Sequence, residues 1–393
     1  MTILTDQKKA APKEIIAELY VLRGLALWGV IFQHALGVYI RRENIPFPDA
    51  AMLGMLFNFT KFAVPAFVFA TGAALFYNYY DRLDYPKFIR KRFVDILIPY
   101  FLWTLIYNVY YYGIPSVDLL WLKEIGKNIV LGTEFYHLWF VVLIFQFYLV
   151  YPLLPALFKR LGGHISKAPG IALAVGVGGV LYTTLMWFSA YYMPAVNFHF
   201  ENKALQLFFV EYRDRNFIFY LAYFLLGGLA GLAVARWREF VVRSTSWNSF
   251  LFIGLFIWIG FELMKGSGGV INLNYSTSLK PSMFFYTVSE LLLFYGLSLL
   301  IVKNGPLIFR LLDLTGKLSY GIYLAHPLML VYCVKVLNRI MPPGYFLAQS
   351  ALALILCALA SLGLAVLISR MPYGKLLIGP YNRKRPARLG CGS

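Results

Sequence analysis

The chain has 393 residues, of which 60% are hydrophobic and only 14% are charged, with a mean hydropathy of +0.65. A soluble chain carries roughly a quarter charged residues, which solvate its surface. This composition therefore excludes a soluble globular protein and indicates an integral membrane protein. The net charge of +18 does not call for nucleic acid as a partner, because membrane proteins concentrate Lys and Arg in their cytoplasmic loops.

Continuous apolar runs, each about the 20 residues that a helix needs to cross a bilayer, predict ten spans. The runs lack the period-two alternation of a membrane β-barrel, so we expect an all-α, polytopic transmembrane helix bundle. The predicted spans are 17–40, 52–77, 93–113, 136–157, 170–190, 216–235, 247–265, 283–302, 317–338 and 345–369.

The distribution of basic residues predicts how the bundle is oriented. With the N-terminus inside, the inner segments hold 23 Lys and Arg, whereas the outer loops hold 10. This bias predicts that both termini are cytoplasmic. We therefore expect a cytoplasmic N-terminal segment over residues 1–16, a ten-helix transmembrane domain over 17–370 and a basic cytoplasmic tail over 371–393.

The first span contains two ionisable residues, Arg23 and His34. Because such residues are energetically costly inside a membrane helix, each is a candidate functional residue. Their separation exceeds three helical turns by about 20°, so both project from one face, ~16 Å apart along the axis. A guanidinium binds phosphate or carbonyl oxygens, and an imidazole can remove a proton from a hydroxyl near neutral pH. Alternatively, Arg23 extends to the inner interface and His34 is a buried, hydrogen-bonded side chain.

The sequence resembles the membrane-bound acyltransferase family 3, whose mark is an Arg or Lys, ten residues and then a His in the first span. Arg23 and His34 have this spacing. Six segments resemble the family pattern in the family's order, and together they extend along nearly the whole chain. They are ELYVLRGLALWGVIFQHALG (18–37), FAVPAFVFATGAALF (62–76), FIRKRFVDILIPYFLW (88–103), HLWFVVLIFQFYLVYPLL (137–154), LAYFLLGGLAG (221–231) and KLSYGIYLAHPLML (317–330).

The resemblance implies an acyltransferase that moves an acyl group, usually acetyl, from cytoplasmic acyl-CoA to a hydroxyl at the outer side. It implies acyl-CoA (acetyl-CoA) as co-substrate with no tightly bound cofactor, and a carbohydrate or lipid-linked glycan as acceptor. It also implies a multi-pass protein of the bacterial inner (cytoplasmic) membrane. His34 would be the catalytic residue, either as general base or as a brief acyl carrier, and Arg23 would bind the acyl-CoA.

Further acyl-CoA-binding residues are expected at the inner mouth of the bundle. The family often has an Arg-x-x-Arg element between spans two and three, and this chain reads Lys87-Phe-Ile-Arg90, which is an approximate match. Lys91 and Arg92 follow directly, and Tyr320 lies near the inner end of span nine. The alternative for the four cations is the ordinary basic bias of a cytoplasmic loop.

Five residues toward the outer side are expected to bind the acceptor: His137, Trp139, Glu211, Arg213 and His326. Each has a second interpretation. The tryptophan could be an interfacial anchor, the charged pair could belong to a solvated loop, and His326 could pack against a neighbouring tyrosine.

The sequence has no metal-binding motif, so no metal is expected. An oligomer is possible. The alternative function is a secondary transporter or exporter of a lipid-linked or small polar substrate, in which Arg23, His34 and Glu290 form a proton or substrate relay. The Arg-x10-His helix beside a basic inner mouth favours the acyltransferase, because a transporter has no particular need for it.

Overall fold

The computed structural model describes residues 15–43, 45–165 and 168–381, and this part of the chain is helical, without strands. The fold class predicted from the sequence, an all-α polytopic bundle, is confirmed. The main helices are α1 (Ala17–Ile40), α2 (Phe47–Phe59), α3 (Ala63–Tyr79), α4 (Tyr85–Arg92), α5 (Ile98–Tyr112), α6 (Leu119–Leu131), α7 (Trp139–Val150), α8 (Leu153–Ile165), α9 (Ala168–Trp187), α10 (Leu221–Leu232), α11 (Val234–Ser267), α12 (Pro281–Asn304), α13 (Pro306–Lys317), α14 (Ser319–Ile340) and α15 (Phe346–Arg370).

The described residues contain seven helical segments that are long and apolar enough to cross a membrane. An eighth is obtained if α7 and the start of α8, which meet at a 49° bend, count as one span. The number of ten spans and the cytoplasmic termini therefore stay predictions. The inner segment between the sixth and seventh predicted spans, residues 236–246, is helical and belongs to the 34-residue α11. Arginine has a high helix propensity, so the basic residues there extend the helix and do not interrupt it.

Helix α1 is the centre of the bundle. It packs against α2, α3, α12, α13, α14 and α15. Side chains along its whole length are buried, among them Leu22 and Ala35, each 0% exposed. Gly24 and Gly316 allow its close approach to α13, since a Cβ at Gly316 would lie 2.0 Å from the Tyr20 carbonyl oxygen. The first span is thus surrounded by protein, and its polar residues face other helices.

Helices α3 and α10 pack backbone against backbone. A Cβ at Gly227 would lie 2.0 Å from the Phe69 carbonyl oxygen, and one at Gly231 would lie 2.3 Å from that of Ala73. Small residues four apart allow such close packing in membranes. Gly227-x-x-x-Gly231 is therefore a helix-packing motif that brings α10 against α3.

A buried ion pair holds the start of α1. Glu18 is 1% exposed and accepts two hydrogen bonds from Arg238 of α11, at 2.6 and 3.1 Å. Tyr295 of α12 donates a third, at 3.0 Å. Burial of a carboxylate is costly, and these three hydrogen bonds offset part of that cost. These bonds fix α1 five residues before Arg23.

Candidate active site

Three histidines from distant parts of the sequence meet at one end of α1. The ring of His34 stacks on that of His326 of α14, with centroids 5.3 Å apart and planes 27° apart. His137, just before α7, lies edge-on to His326 at 5.4 Å. Tyr136 packs on His34 at 4.7 Å. We call His34, His137 and His326 the histidine cluster.

Most of this cluster is shielded from solvent. His137 is 1% exposed and His326 is 0% exposed, whereas His34 is half-buried. Both ring nitrogens of His137 and Nε2 of His326 have no hydrogen-bond partner among the described residues. Buried polar atoms without partners are costly. The cluster is therefore suited to bind a ligand that carries hydroxyl or carbonyl groups.

The cluster does not have the geometry of a metal site. Across residues 15–43, 45–165 and 168–381, no three His, Cys, Asp or Glu side chains converge as ligands of one ion would. The imidazoles of His34 and His326 are stacked, and those of His137 and His326 are edge-on. This arrangement suits proton transfer between imidazoles and a bound hydroxyl.

A polar network positions the segment that carries Tyr136 and His137. Glu134 accepts hydrogen bonds from Asn108 of α5 and Asn128 of α6, both at 2.9 Å. Because the carboxylate is fixed by two helices, the residues that follow it enter the bundle in a defined direction. The hydroxyl of Tyr323 also donates to the His137 carbonyl oxygen.

A cavity of about 160 Å³ lies near the other end of α1. Arg23 and Arg92 contribute two guanidinium groups to it, and Tyr320 contributes a phenol ring. The Arg23 side chain is oriented by a 2.9 Å hydrogen bond from Nη2 to Ser319 Oγ on α14. The remaining lining is mostly apolar: Phe67, Ala70, Thr71, Ala74, Leu75, Ile96, Phe140, Val141, Ile144, Tyr148 and Tyr323. We call this the arginine cavity.

Arg92 reaches the arginine cavity because of its place on α4. It follows the buried Phe88 by four residues, so both lie on the inward face of the helix. Its guanidinium lies over the rings of Phe88 and Tyr148, with its central carbon 5.1 and 5.0 Å from their centroids. Such stacking fixes the plane of the charged group beside Arg23.

The other three cations of this loop do not line the cavity. Lys87, Arg90 and Lys91 are exposed, and Lys87 forms a 2.7 Å ion pair with Asp84. The ammonium of Lys87 lowers the pKa of the Asp84 carboxyl by hydrogen bonding to it. Of the six residues predicted to bind acyl-CoA, only Arg23, Arg92 and Tyr320 line this cavity. The other three lie on the faces of α4 that are turned away from the bundle.

A second cavity, of about 190 Å³, adjoins the first. The two share Arg23, Ala70 and Ala74, and the second extends to Ile15 and Asn78. The Arg23 guanidinium therefore lies between two open volumes. An elongated anionic molecule could enter along α1 and α3 and contact this guanidinium on the way.

Tyr323 separates the arginine cavity from the histidine cluster. It lines the cavity, and its ring centroid lies 5.1 Å from that of His137 and 5.7 Å from that of His326. Arg23 and His34 both contact α14, through Ser319 and His326. The structure thus places both side chains on the face of α1 that is turned toward α14, as the eleven-residue spacing predicts.

Of the predicted acceptor residues, only His137 and His326 contact His34 or one another. Trp139 packs against Phe140 and Tyr220. Glu211 is exposed, and Arg213 donates to the nearby Val210 carbonyl oxygen at 3.3 Å. Among the described residues, no hydrogen bond, ion pair or ring contact joins the side chains of these three to the cluster.

Two residues near the site were missed from the sequence, namely Tyr136, which packs on His34, and Ser319, which orients Arg23. Ser319 lies near the inner end of the predicted ninth span and Arg23 near the inner end of the first, and this shared side of the bundle was the available signal. No such signal marks Tyr136, because its position depends on the Glu134 network.

The fold and site define a polytopic helical membrane protein with a basic cavity and an imidazole cluster along one central helix. A family model described as an acyltransferase domain matches residues 16–370. The chain belongs to acyltransferase family 3 and is an integral membrane protein with an acyltransferase domain.

The comparisons also find curated relatives in Staphylococcus aureus. The probable poly-beta-1,6-N-acetyl-D-glucosamine export proteins of strains MRSA252 and MSSA476 are each 22% identical to this chain over 321 residues. The aligned part covers 81% of this chain and 83% of each relative. No solved structure gives a match.

Proposed function

We propose that the protein is an O-acyltransferase that moves an acyl group, acetyl by preference, from cytoplasmic acyl-CoA to a carbohydrate hydroxyl at the outer side. The observation that carries this proposal is the pairing of a two-arginine cavity with an imidazole cluster along α1. One end suits an anionic donor, and the other suits proton transfer from a hydroxyl.

The arginine cavity would hold the acyl-CoA. Arg23 and Arg92 would contact its phosphates or thioester oxygen, since a guanidinium binds such oxygens through two parallel hydrogen bonds. Tyr320, whose hydroxyl donates to the Ile96 carbonyl oxygen at 2.6 Å, would line the path of the donor chain. Lys87, Arg90 and Lys91 would act at longer range, by attracting the anion to the inner mouth.

The histidine cluster would hold the acceptor hydroxyl. His34 would act as general base or carry the acyl group, and His137 and His326 would bind the acceptor through their unpaired nitrogens. Trp139, Glu211 and Arg213 would contact more distant parts of the acceptor. The inner membrane of a bacterium fits this role, because acyl-CoA is made on its cytoplasmic face.

The acceptor is proposed to be an exopolysaccharide or a lipid-linked glycan. The relatives in S. aureus are named for the export of a poly-N-acetylglucosamine, which supports a carbohydrate as the molecule at the outer side. Tyr191, Tyr192 and Phe208 are exposed aromatic side chains before α10, and such rings can pack against the apolar faces of sugars.

The experiment that tests the proposal compares cell-surface glycans from cells with and without the gene by mass spectrometry. We expect an acyl increment on a hydroxyl only when the gene is present. CoA is also expected to raise the thermal unfolding temperature of the purified protein, because a ligand that binds only the folded state stabilises it. Identical glycan masses from the two strains would contradict the proposal.

Export of a lipid-linked or small polar substrate is the second candidate. It is favoured by the names of the S. aureus relatives and by Glu290 of α12, which is 0% exposed and has no hydrogen-bond partner among the described residues. An exporter predicts no stabilisation by millimolar CoA and an accumulation of unmodified glycan inside cells that lack the gene.

A further inference from the structure

Helix α14 contains a proline, Pro327, directly after His326. Proline has no amide hydrogen, so Pro327 cannot donate to the carbonyl four residues earlier, which is that of Tyr323. That carbonyl oxygen lies 2.6 Å from Nδ1 of His326. The imidazole therefore supplies the hydrogen bond that the proline cannot make.

This hydrogen bond fixes the tautomer of His326. A carbonyl oxygen can only accept, so Nδ1 carries the proton and the lone pair of the neutral ring is on Nε2. Nε2 is buried and has no partner among the described residues. Its ring stacks on that of His34. The cluster thus contains an oriented imidazole whose lone pair is available to accept a proton.

His34 differs in this respect. It is half-buried, and within the described part of the chain its contacts are ring contacts with Tyr136 and His326, with no hydrogen bond to fix a tautomer. A general base is usually oriented through a hydrogen bond on its second nitrogen. Of the two stacked imidazoles, His326 has a ring nitrogen fixed by a hydrogen bond. His34 is the more exposed of the two.

We propose that His326 is the general base that deprotonates the acceptor hydroxyl, and that His34 carries the acyl group. The assignment rests on the proposed acyltransferase function. First, one ring nitrogen of His34 bonds to the thioester carbon, the carbon–sulfur bond breaks, and the CoA thiolate takes the proton lost by the other ring nitrogen.

In the second step the acceptor hydroxyl gives its proton to Nε2 of His326. The acceptor oxygen bonds to the acyl carbon, the bond from that carbon to His34 breaks, and His326 returns the proton to the His34 ring. Both imidazoles are neutral again at the end. Pro327 acts as a positioning residue, because it leaves the Tyr323 carbonyl free to orient His326.

His326→Asn is the sharpest variant, because the asparagine amide can keep the hydrogen bond to the Tyr323 carbonyl while Nε2 is removed. We expect the acyl increment on surface glycans to fall about 100-fold or more, which is the range for loss of a general base. Hydroxylamine attacks acyl groups without help from a base. Because hydroxylamine also cleaves acetyl-CoA directly, CoA release is measured against a protein-free control. The purified variant should still release CoA from labelled acetyl-CoA faster than that control, whereas His34→Ala should not.

Pro327→Ala tests whether Pro327 positions His326 for catalysis or only contributes to the stability of the helix. It restores an amide donor that competes with His326 for the Tyr323 carbonyl, and it removes a proline from a helix interior, where proline is unfavourable. We expect a protein at least as heat-stable as the wild type, with a lower kcat for glycan acylation and an unchanged KM for acetyl-CoA.

Two results would overturn the assignment. One is glycan acylation by His326→Asn within threefold of wild type, and the other is loss of hydroxylamine-dependent CoA release by that variant. Failure of the proposed function has a different signature. In that case the wild-type protein itself gives neither a glycan increment nor CoA release above that of the protein-free control.

Discussion

The two ends of α1 differ in the kind of polar group that they hold, cationic guanidinium groups at one end and imidazoles at the other. At the Arg23 end the guanidinium is held by Ser319, and Arg92 is held by two aromatic rings. At the His34 end, ring nitrogens are buried without partners among the described residues. A charged group is costly to bury alone, whereas a neutral imidazole can be left unpaired at a smaller cost. This difference supports the proposal that the first end binds an anion and the second exchanges protons.

His34→Ala tests the proton-exchanging end and should have the largest effect. Transfer from labelled acetyl-CoA should fall about 10²- to 10⁴-fold, the contribution expected of a catalytic imidazole. CoA should still stabilise the variant against heat, because the arginine cavity is intact. His199→Ala is the matched control, since His199 is exposed in the segment between α9 and α10 and its substitution should change neither quantity. Full turnover by His34→Ala would contradict a catalytic role for this end of α1.

Arg23→Ala tests the anion-binding end. A hydrogen bond to a charged group contributes about 1.5–3 kcal/mol, so the Kd for CoA should rise roughly 10- to 100-fold. Arg23→Lys should recover part of the loss, because it keeps the charge but not the planar donor geometry. The measurement is CoA titration followed by thermal unfolding, with Arg90→Ala as the exposed control. An unchanged Kd in Arg23→Ala would place the donor elsewhere.

Gly227→Ala tests whether the position of α3 supports the arginine cavity, since Ala70, Thr71 and Ala74 of that helix line it. The added methyl would lie 2.0 Å from a backbone oxygen of α3, and overpacking of this kind costs about 1–3 kcal/mol. We expect a lower unfolding temperature and weaker CoA binding. Gly178→Ala, where nothing lies within 4 Å of the added methyl, should behave as wild type. Equal stability of the two variants would contradict the packing described.

Arg92→Ala should have the smallest of these effects. Arg92 is half-buried, and an ion pair that water screens contributes at most about 1 kcal/mol, so we expect roughly a fivefold rise in KM for acetyl-CoA with little change in kcat. Lys91→Ala, the exposed neighbour, is the control for general loss of positive charge. Equal effects of the two substitutions would mean that the loop attracts the donor only through its charge.

The sequence alone predicts the helical class of the fold, the bounds of α1 and the position of Arg23 and His34 on one face of that helix. These features depend on local composition and on helix periodicity, which a single sequence contains. The choice of Arg92 over its basic neighbours was also accessible, because Phe88 marks the buried face of α4 four residues earlier.

Other features depend on tertiary packing and could not be read from the chain. The meeting of His137 with His34 requires the Glu134 network to direct a loop into the bundle. The bend between α7 and α8 and the continuation of α11 beyond the membrane-length run depend on how neighbouring helices pack. The tautomer of His326 follows from Pro327, but only after the helix is known to continue through that proline.

The central claim is that the two ends of α1 serve two sides of one membrane, with the donor entering at the Arg23 end. The most direct test supplies labelled acetyl-CoA to sealed membrane vesicles of opposite orientation, each containing the protein and the glycan of the cells that produce it. We predict labelled glycan inside inverted vesicles, whose outer surface is the cytoplasmic face, and no label in right-side-out vesicles. Labelling of right-side-out vesicles alone, or equal labelling of both, would contradict the account.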